Sequence, residues 1–309
     1  MAPTIYCIGE TVLDIIFGEG KPVSATPGGS MLNSAVSLGR AGLRVEFISE
    51  YGNDDAGDII DAFLKKNKVG TRFVRRYDDG KTAVALAFLN RKNDASYSFY
   101  KMYPGKRMTS SLPLTKKGDV ILFGSVYSIL PGIGGKIKQW IKKSRETGTL
   151  IIYDPNFRKS HSDMLEKARP LIIENISLSD IVRGSDEDFL NIFALKKPEE
   201  VRNKLRSSGC INIIITRNSS SAVAWFDEGK ITMKIPPVKQ VISTIGAGDA
   251  FNAGIIYAVV KRGLTKGSLG NTGAGDARKI IETGIAFAAD VCQNAENYIS
   301  PGFGKSLKP

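Results

Sequence analysis

Residues 243–254 read Ser-Thr-Ile-Gly-Ala-Gly-Asp-Ala-Phe-Asn-Ala-Gly. A glycine-bearing turn runs into a carboxylate and then into an apolar helix, a combination that suits phosphoryl transfer. The main-chain N–H groups of Gly246, Ala247 and Gly248 can point together at an anion. The positive end of the following helix dipole falls in the same place. Asp249, in the first turn, is close enough to take a proton from a substrate hydroxyl. The same tetrapeptide recurs at 273–276, but there it follows a loop without a strand. Asp276 is therefore expected as a first-turn carboxylate of a surface helix.

The rest of the composition removes competing chemistries. There is a single histidine, His161, in the polar run Arg-Lys-Ser-His-Ser-Asp, where a solvated loop residue is expected. Zinc sites and Ser-His-Asp triads therefore have almost no material. Cys7, Cys210 and Cys292 lack metal or redox spacing and read as small buried hydrophobes. The net charge is +12 over 309 residues, but Lys and Arg are scattered. The densest groups, Lys65-Lys66-Asn67-Lys68 and Lys142-Lys143, fall near helix ends, where cations are favoured anyway. No nucleic-acid partner is expected. No apolar run approaches the ~20 residues that span a bilayer, so no membrane partner is expected either. The N-terminus reads as a first strand rather than a signal peptide, and a cytoplasmic location is expected.

The elements that must position Asp249 follow from periodicity. Strands are expected at 4–9, 45–48, 119–124, 149–153, 179–182 and 211–216, and a hairpin at 221–235 around Glu228-Gly229. Helices are expected from about 30 to 39, closed by Gly42, and at 54–66, with Ile59, Ile60, Phe63 and Leu64 on the buried side. Further helices are expected at 132–147, 163–174, 186–193, 198–208, 248–262 and 275–292. Residues 71–76, 82–90 and 96–103 favour strands, with turn signals at Asp79-Gly80 and Asn93-Asp94. Repeated strand-then-helix order argues for an α/β fold, a mostly parallel sheet covered by helices on both faces. The extended pieces at about 12–26 and 82–104 do not fit that layer. They are expected to pair as a small separate β-sheet forming a lid inserted in a single domain over 1–309.

The motif at 244–254 closely resembles the C-terminal signature of the ribokinase-like (pfkB-type) carbohydrate kinase family. The N-terminal signature is similar at Gly28-Gly29-Ser30-Met31-Leu32-Asn33-Ser34-Ala35. Further matches are Asp14, Gly52-Asn53-Asp54, Asp154-Pro155-Asn156-Phe157-Arg158 and Ser185-Asp186-Glu187-Asp188. The resemblance runs over nearly the whole chain in the family's order. It implies a doubly wound sheet with a β-sheet lid over a sugar, and transfer of the γ-phosphoryl group of ATP to a sugar hydroxyl. It makes Asp249 the general base and the amides of Gly246, Ala247 and Gly248 an anion hole. On the sugar side it implies Asp14, Gly28, Gly29, Asn33 and Arg158. Asp14 sits inside the run Val-Leu-Asp-Ile-Ile-Phe, where a charge needs a reason such as sugar hydroxyls. The lid aromatics Tyr97, Phe99, Tyr100 and Tyr103 face the sugar or pack the lid. On the nucleotide side the resemblance implies Ser185, Thr216, Arg217 and Asn218. Mg²⁺ would accompany ATP with few protein ligands, Asp188 acting through water.

Three departures stand out. Ser243 replaces an Asp that many relatives associate with a monovalent cation, so only its carbonyl is left to hold K⁺. Thr216-Arg-Asn-Ser-Ser-Ser221 replaces Thr-x-Gly-x-x-Gly, with Asn218 tolerating left-handed backbone in place of glycine. Asp188 stands where relatives often carry Glu. The expected acceptor is fructose, with ribose, 2-keto-3-deoxygluconate, a nucleoside or a phosphosugar as alternatives. A phosphosugar would call on lid cations such as Lys101, Lys106 and Arg107. A catalytically silent sugar-binding protein is the rival from another class, and a homodimer through the lid is the expected assembly. A dinucleotide oxidoreductase lacks its Gly-x-Gly-x-x-Gly turn.

Overall fold

The computed structural model describes residues 2–89, 95–108, 110–227 and 229–307; Asn93, Asp94, Glu228 and the Tyr97 side chain lie outside the described residues. In chain order the first elements are β1 (Ile5–Ile8), β2 (Val12–Gly18), β3 (Lys21–Gly28), α1 (Ser30–Arg40), β4 (Val45–Gly52) and α2 (Asp55–Lys66). Then come β5 (Val69–Tyr77), β6 (Lys81–Leu89), β7 (Ala95–Met102), β8 (Val120–Gly124), α3 (Gly134–Glu146) and β9 (Leu150–Asp154). The chain continues with α4 (Leu165–Ser177), β10 (Ile181–Ser185), α5 (Asp186–Phe193), α6 (Pro198–Ser207), β11 (Asn212–Arg217) and β12 (Ser221–Phe226). It closes with β13 (Gly229–Lys234), α7 (Ala247–Lys261), α8 (Ala274–Cys292) and α9 (Pro301–Ser306).

Period-two alternation builds two cores from one sheet. Ile5 and Cys7 of β1 enter one apolar cluster, Tyr6 and Ile8 the other. The first cluster is covered by α1, α2, α7 and α8, the second by α3, α4, α5 and α6. The main sheet has nine strands in the order β13-β12-β11-β10-β9-β8-β1-β4-β5. Only the β11–β12 and β12–β13 pairs are antiparallel. From β1 the chain winds outward through β4 to β5, then returns to β8 and winds the other way. The reversal between β1 and β8 opens a crevice at the carboxyl ends of the strands, where open α/β sheets take ligands.

The segments at 12–26 and 82–104 form a separate four-stranded sheet, β3-β2-β6-β7. The two segments meet through a parallel pairing that sets Asp14 beside Ala85. β5 instead joins the edge of the main sheet, parallel to β4.

Two local expectations need correction, and one short helix is added. Ile59 is 48% exposed while Ile60 and Leu64 are fully buried. At 100° per residue, Gly57, Ile60 and Leu64 already occupy the inward stripe, and Ile59 falls outside it. The fourth expected helix begins as a 3-10 turn over Lys159–Met164 before α4. The short α9 carries too little periodicity to be seen, yet Ser300 accepts from the Phe303 N–H and caps its start. Helices α7 and α8 approach closely through glycines: a Cβ on Gly254 would lie 2.7 Å from the Gly284 Cα. That contact fixes the helix that carries the 246–249 motif.

Candidate active site

The start of α7 explains its own glycines. Gly246 caps the helix in left-handed backbone at φ 82°, and a Cβ there would meet the Asn297 carbonyl oxygen at 2.2 Å. Ala250 N–H closes the first helical turn on the Gly246 carbonyl at 2.8 Å. The N–H groups of Gly248 and Asp249 precede that bond and have no intrahelical acceptor. Ala247 differs from its neighbours, because its N–H is donated to the Thr244 carbonyl at 3.3 Å.

Asp249 is partly buried in the first turn and is gripped by α1. The Asn33 amide donates to its Oδ2 at 2.9 Å, and the Ser34 hydroxyl donates to its backbone carbonyl at 2.9 Å. Burial pushes the Asp249 carboxyl up to about 6, aided by the Asp154 charge and opposed by Asn33 and Arg183. A carboxyl held there is ionised at neutral pH and basic enough to take a hydroxyl proton. Asp249 lines a cleft of about 380 Å³ together with Ser30, Ser125, Asn156, Arg158, His161 and the 244–248 turn. Larger surface grooves exist, one beside Trp140 and one beside α8. Neither contains the carboxylate or the turn.

Strain gathers in the same cleft. Ser125, just past β8, sits at φ 54°, ψ −179°, a conformation that favours glycine and costs on the order of 1–3 kcal/mol. It is held by its N–H to the Asp154 carbonyl at 2.9 Å and by the Ser128 hydroxyl on its own carbonyl at 2.8 Å. Asn156 is also left-handed, at φ 40°.

Behind the turn lies a buried ionic network. Arg183 donates to Asp154 Oδ2 at 3.0 Å and to the Thr216 hydroxyl at 2.8 Å. Asn252, one turn into α7, donates to the same Asp154 oxygen at 2.5 Å. A Cβ on Gly248 would lie 3.1 Å from Arg183 Nη1, so the guanidinium backs directly onto the glycine turn. Sequence reasoning missed Arg183. The signal was available: a cation inside Asp-Ile-Val-Arg-Gly-Ser is as anomalous as Asp14 inside its apolar run.

Of the other expected residues, Arg158 lines the cleft and Thr216 joins the network behind it, while the rest take the following places. Asp14 lies on β2, partly buried, and burial alone raises its carboxyl to about 6. A Cβ on Gly28 would collide with its Oδ2. A Cβ on Gly29 would strike the Glu10 carbonyl at 2.5 Å, so both glycines allow the close approach of β3 and α1 to β2. Ser185 and Asp188 cap α5 reciprocally: Asp188 N–H donates to Ser185 Oγ at 3.1 Å, and Ser185 N–H donates to Asp188 Oδ2 at 2.8 Å. Asp188 Oδ1 is buried with no hydrogen-bond partner among the described residues, and burial followed by the Asp154 charge raises this carboxyl. Asn218 is left-handed at φ 48°, at the turn after β11, and Arg217 beside it is exposed. The Ser243 hydroxyl accepts from the Ile245 N–H at 3.2 Å. Arg158 lines the cleft with only a 4.0 Å approach to Glu187. Among the described residues no group of three or more His, Cys, Asp or Glu can hold a metal by itself.

Two expectations about position change and one holds. His161 is not a solvated loop residue; it is half-buried and lines the cleft with Asp249. Phe99 and Tyr100 are 57% and 62% exposed, whereas Tyr103 donates to Glu10. Asp276, the second Gly-Ala-Gly-Asp carboxylate, pairs with Arg262 on the surface at the start of α8, as its loop context suggested.

The network generates a stability test. Arg183→Met should cost about 3–5 kcal/mol, because it strands a buried Asp154 carboxylate. Urea unfolding of the variant beside the parent chain reads this directly, and a loss below about 1 kcal/mol would contradict it.

The pfkB family carbohydrate kinase model matches residues 2–300. Aminoimidazole riboside kinase of Salmonella typhimurium (strain LT2) is 26% identical over 258 residues, covering 82% of this chain and 80% of that protein. The fructokinase of Rhizobium leguminosarum bv. trifolii is 28% identical over 270 residues, covering 82% and 79%. In fold, the chain is similar to the crystal structure of fructokinase from Vibrio cholerae O395 in its fructose, ADP and calcium ion bound form. The TM-score is 0.86 at 18% identity, over 99% of this chain and 98% of that one. With the family model spanning nearly its whole length and the glycine turn, carboxylate and crevice in place, this chain belongs to the pfkB family of carbohydrate kinases.

Proposed function

We propose that this kinase transfers the γ-phosphoryl group of ATP to a hydroxyl of fructose, within a single domain over 1–309 lidded by its small sheet. The observation that carries the reading is the Asn33–Asp249 hydrogen bond of 2.9 Å at the edge of the glycine turn. It aims a carboxylate raised to about 6 at the point where an alcohol meets a phosphate. In the transfer, Asp249 takes the hydroxyl proton, the alkoxide oxygen bonds to the γ-phosphorus, and the bond to the β–γ bridging oxygen breaks, leaving ADP. The Gly246 and Gly248 N–H groups of the turn hold the charge that builds on the transferred group, with the Arg183 cation behind them; the Ala247 N–H, expected to join them, is committed to the Thr244 carbonyl. Asp14, Gly28, Gly29, Asn33 and Arg158 form the sugar side. Ser185, Thr216, Arg217 and Asn218 form the nucleotide side.

A neutral sugar is favoured over a phosphosugar by what the lid cations already do. Lys101 pairs with Glu10 at 3.1 Å, and Arg107 pairs with the buried Glu50 at 2.6 Å. Spent on carboxylates, Lys101 and Arg107 supply little free charge for a second phosphate, which leaves Lys106 of the three. Fructose over other neutral sugars rests on the two fructokinases named above, while the aminoimidazole riboside kinase keeps a riboside as the alternative. Asp188 Oδ1, buried and unpartnered, suits a Mg²⁺ reached through water, where the ion would offset phosphate charge. The Ser243 carbonyl is the candidate for K⁺. A cytoplasmic setting belongs with this reading, since all three cysteines are free. No described helix is long and apolar enough to cross a membrane. We also propose a homodimer through the small sheet. Phe88, Tyr100 and Met102, 43–64% exposed, share the face opposite Asp14 by strand alternation.

Four outcomes are expected. In an ADP-release panel over fructose, ribose, keto-sugar acids, nucleosides and sugar phosphates, fructose should give the highest kcat/KM. Asp249→Asn should lower that turnover by ~10²–10⁴-fold; equal turnover in the variant contradicts the assignment. The kcat/KM for the sugar should fall as pH drops below about 6, because Asp249 must be ionised to accept the proton. A profile flat from pH 7 to 5 would remove its role as base. Sedimentation velocity should show a dimer that Tyr100→Glu shifts to monomer, and a monomeric parent chain would refute the interface.

A further inference from the structure

We propose that His161 donates a hydrogen bond from Nε2–H to a hydroxyl of the acceptor, making it a specificity-determining residue of the transfer. The inference rests on the sugar-kinase reading above and adds a contact which that reading did not contain. His161 is the chain's single histidine, and it stands on the 3-10 turn that follows β9 and Arg158. Its ring is half-buried, lines the cleft that holds Asp249, and packs against the buried Phe157 with centroids 5.6 Å apart. The Arg158 N–H donates to its Nδ1 at 3.3 Å. An Nδ1 that accepts leaves the proton of the neutral ring on Nε2. Burial, then the charges of Lys101 and Arg158, lowers the imidazole below its ordinary range, against the opposing Glu10. The ring is therefore a neutral donor at pH 7. Lys101 belongs to β7 of the lid and Glu10 immediately precedes β2. Two of the three charges that reach His161 thus come from the lid side of the cleft, and the third, Arg158, is its neighbour at the start of the 3-10 turn. Asn156 on the same wall keeps a buried Oδ1 without a partner, a second polar atom available to an acceptor hydroxyl.

Three variants of the full chain separate recognition from a merely structural cap. His161→Leu removes both the acceptor of the Arg158 N–H and the donor. His161→Asn keeps an oxygen where Nδ1 accepts but falls short of the Nε2 position. His161→Gln carries an N–H close to that position. The expected result is a rise in KM for fructose of about tenfold in the Leu and Asn variants, with kcat and KM for ATP within about threefold and recovery in Gln. Rescue by Asn but not Gln, or a fructose KM in His161→Leu within about twofold of the parent, would overturn the proposal. The lone imidazole also gives one set of ¹H–¹⁵N signals. They should report a proton on Nε2 and move on saturation with fructose. Signals unmoved by a sugar that the enzyme turns over would overturn it too. If no sugar supports ATP turnover, it is the kinase reading that fails. The imidazole's response to the same sugars then still decides: a shift supports the contact, and none refutes it.

Discussion

The site depends on the contact between two helix starts. Asn33 at the head of α1 and Asp249 at the head of α7 lie 216 residues apart in sequence and meet at 2.9 Å. Ser34 adds a second bond to the Asp249 backbone. Because the carboxylate is tied to α1, it cannot swing away from the crevice that the sheet reversal opens. Because it is partly buried, its proton affinity rises to the range where it is both ionised at neutral pH and useful as a base. The close approach of Gly254 to Gly284 then holds the whole α7 helix in register. Geometry and proton affinity thus come from the same packing.

The second constraint is the cation beneath the turn. Arg183 and Asp154 are almost wholly buried, at 7% and 1% side-chain exposure. Removing two charges from water is costly unless each finds several partners. Here Asp154 accepts from Arg183 and Asn252, and Arg183 also donates to Thr216. These residues come from β9, β10, β11 and α7, so the network clamps three strand ends to the helix that bears the glycine turn. The same clamp places a fixed positive charge behind the N–H groups of the glycine turn. A fixed charge of this kind needs no reorganisation when charge develops in the transition state. Asp188, close enough for its carboxyl to feel Asp154, keeps one oxygen unpartnered.

Much of this was legible in the residues, and the exceptions are instructive. The β1 run, the 246–249 turn and the pairing of 12–26 with 82–104 were readable because each is a local pattern with one physical solution. The two Gly-Ala-Gly-Asp copies were separable by context, since only the first starts a helix buried on nearly every side. What failed was non-local. His161 looks solvated in its polar run, and only the packing of the 159–164 turn against Phe157 turns it into the cleft. Arg183 was passed over because a lone cation in a strand has no meaning until Asp154, Thr216 and Asn252 arrive from elsewhere. Ile59 was assigned to the core by type, although the helix had no inward place left for it. The strain at Ser125 has no sequence signature, because serine is not a residue that the conformation favours.

In a carbohydrate kinase an alcohol, and not water, receives the phosphoryl group. Incubation of the chain with ATP, Mg²⁺ and fructose, followed by ³¹P NMR, tests this directly. The account predicts a new phosphomonoester resonance that grows in step with ADP, and no free phosphate beyond the sugar-free control. Release of inorganic phosphate alone, or no change in the ATP resonances with any sugar, would contradict it.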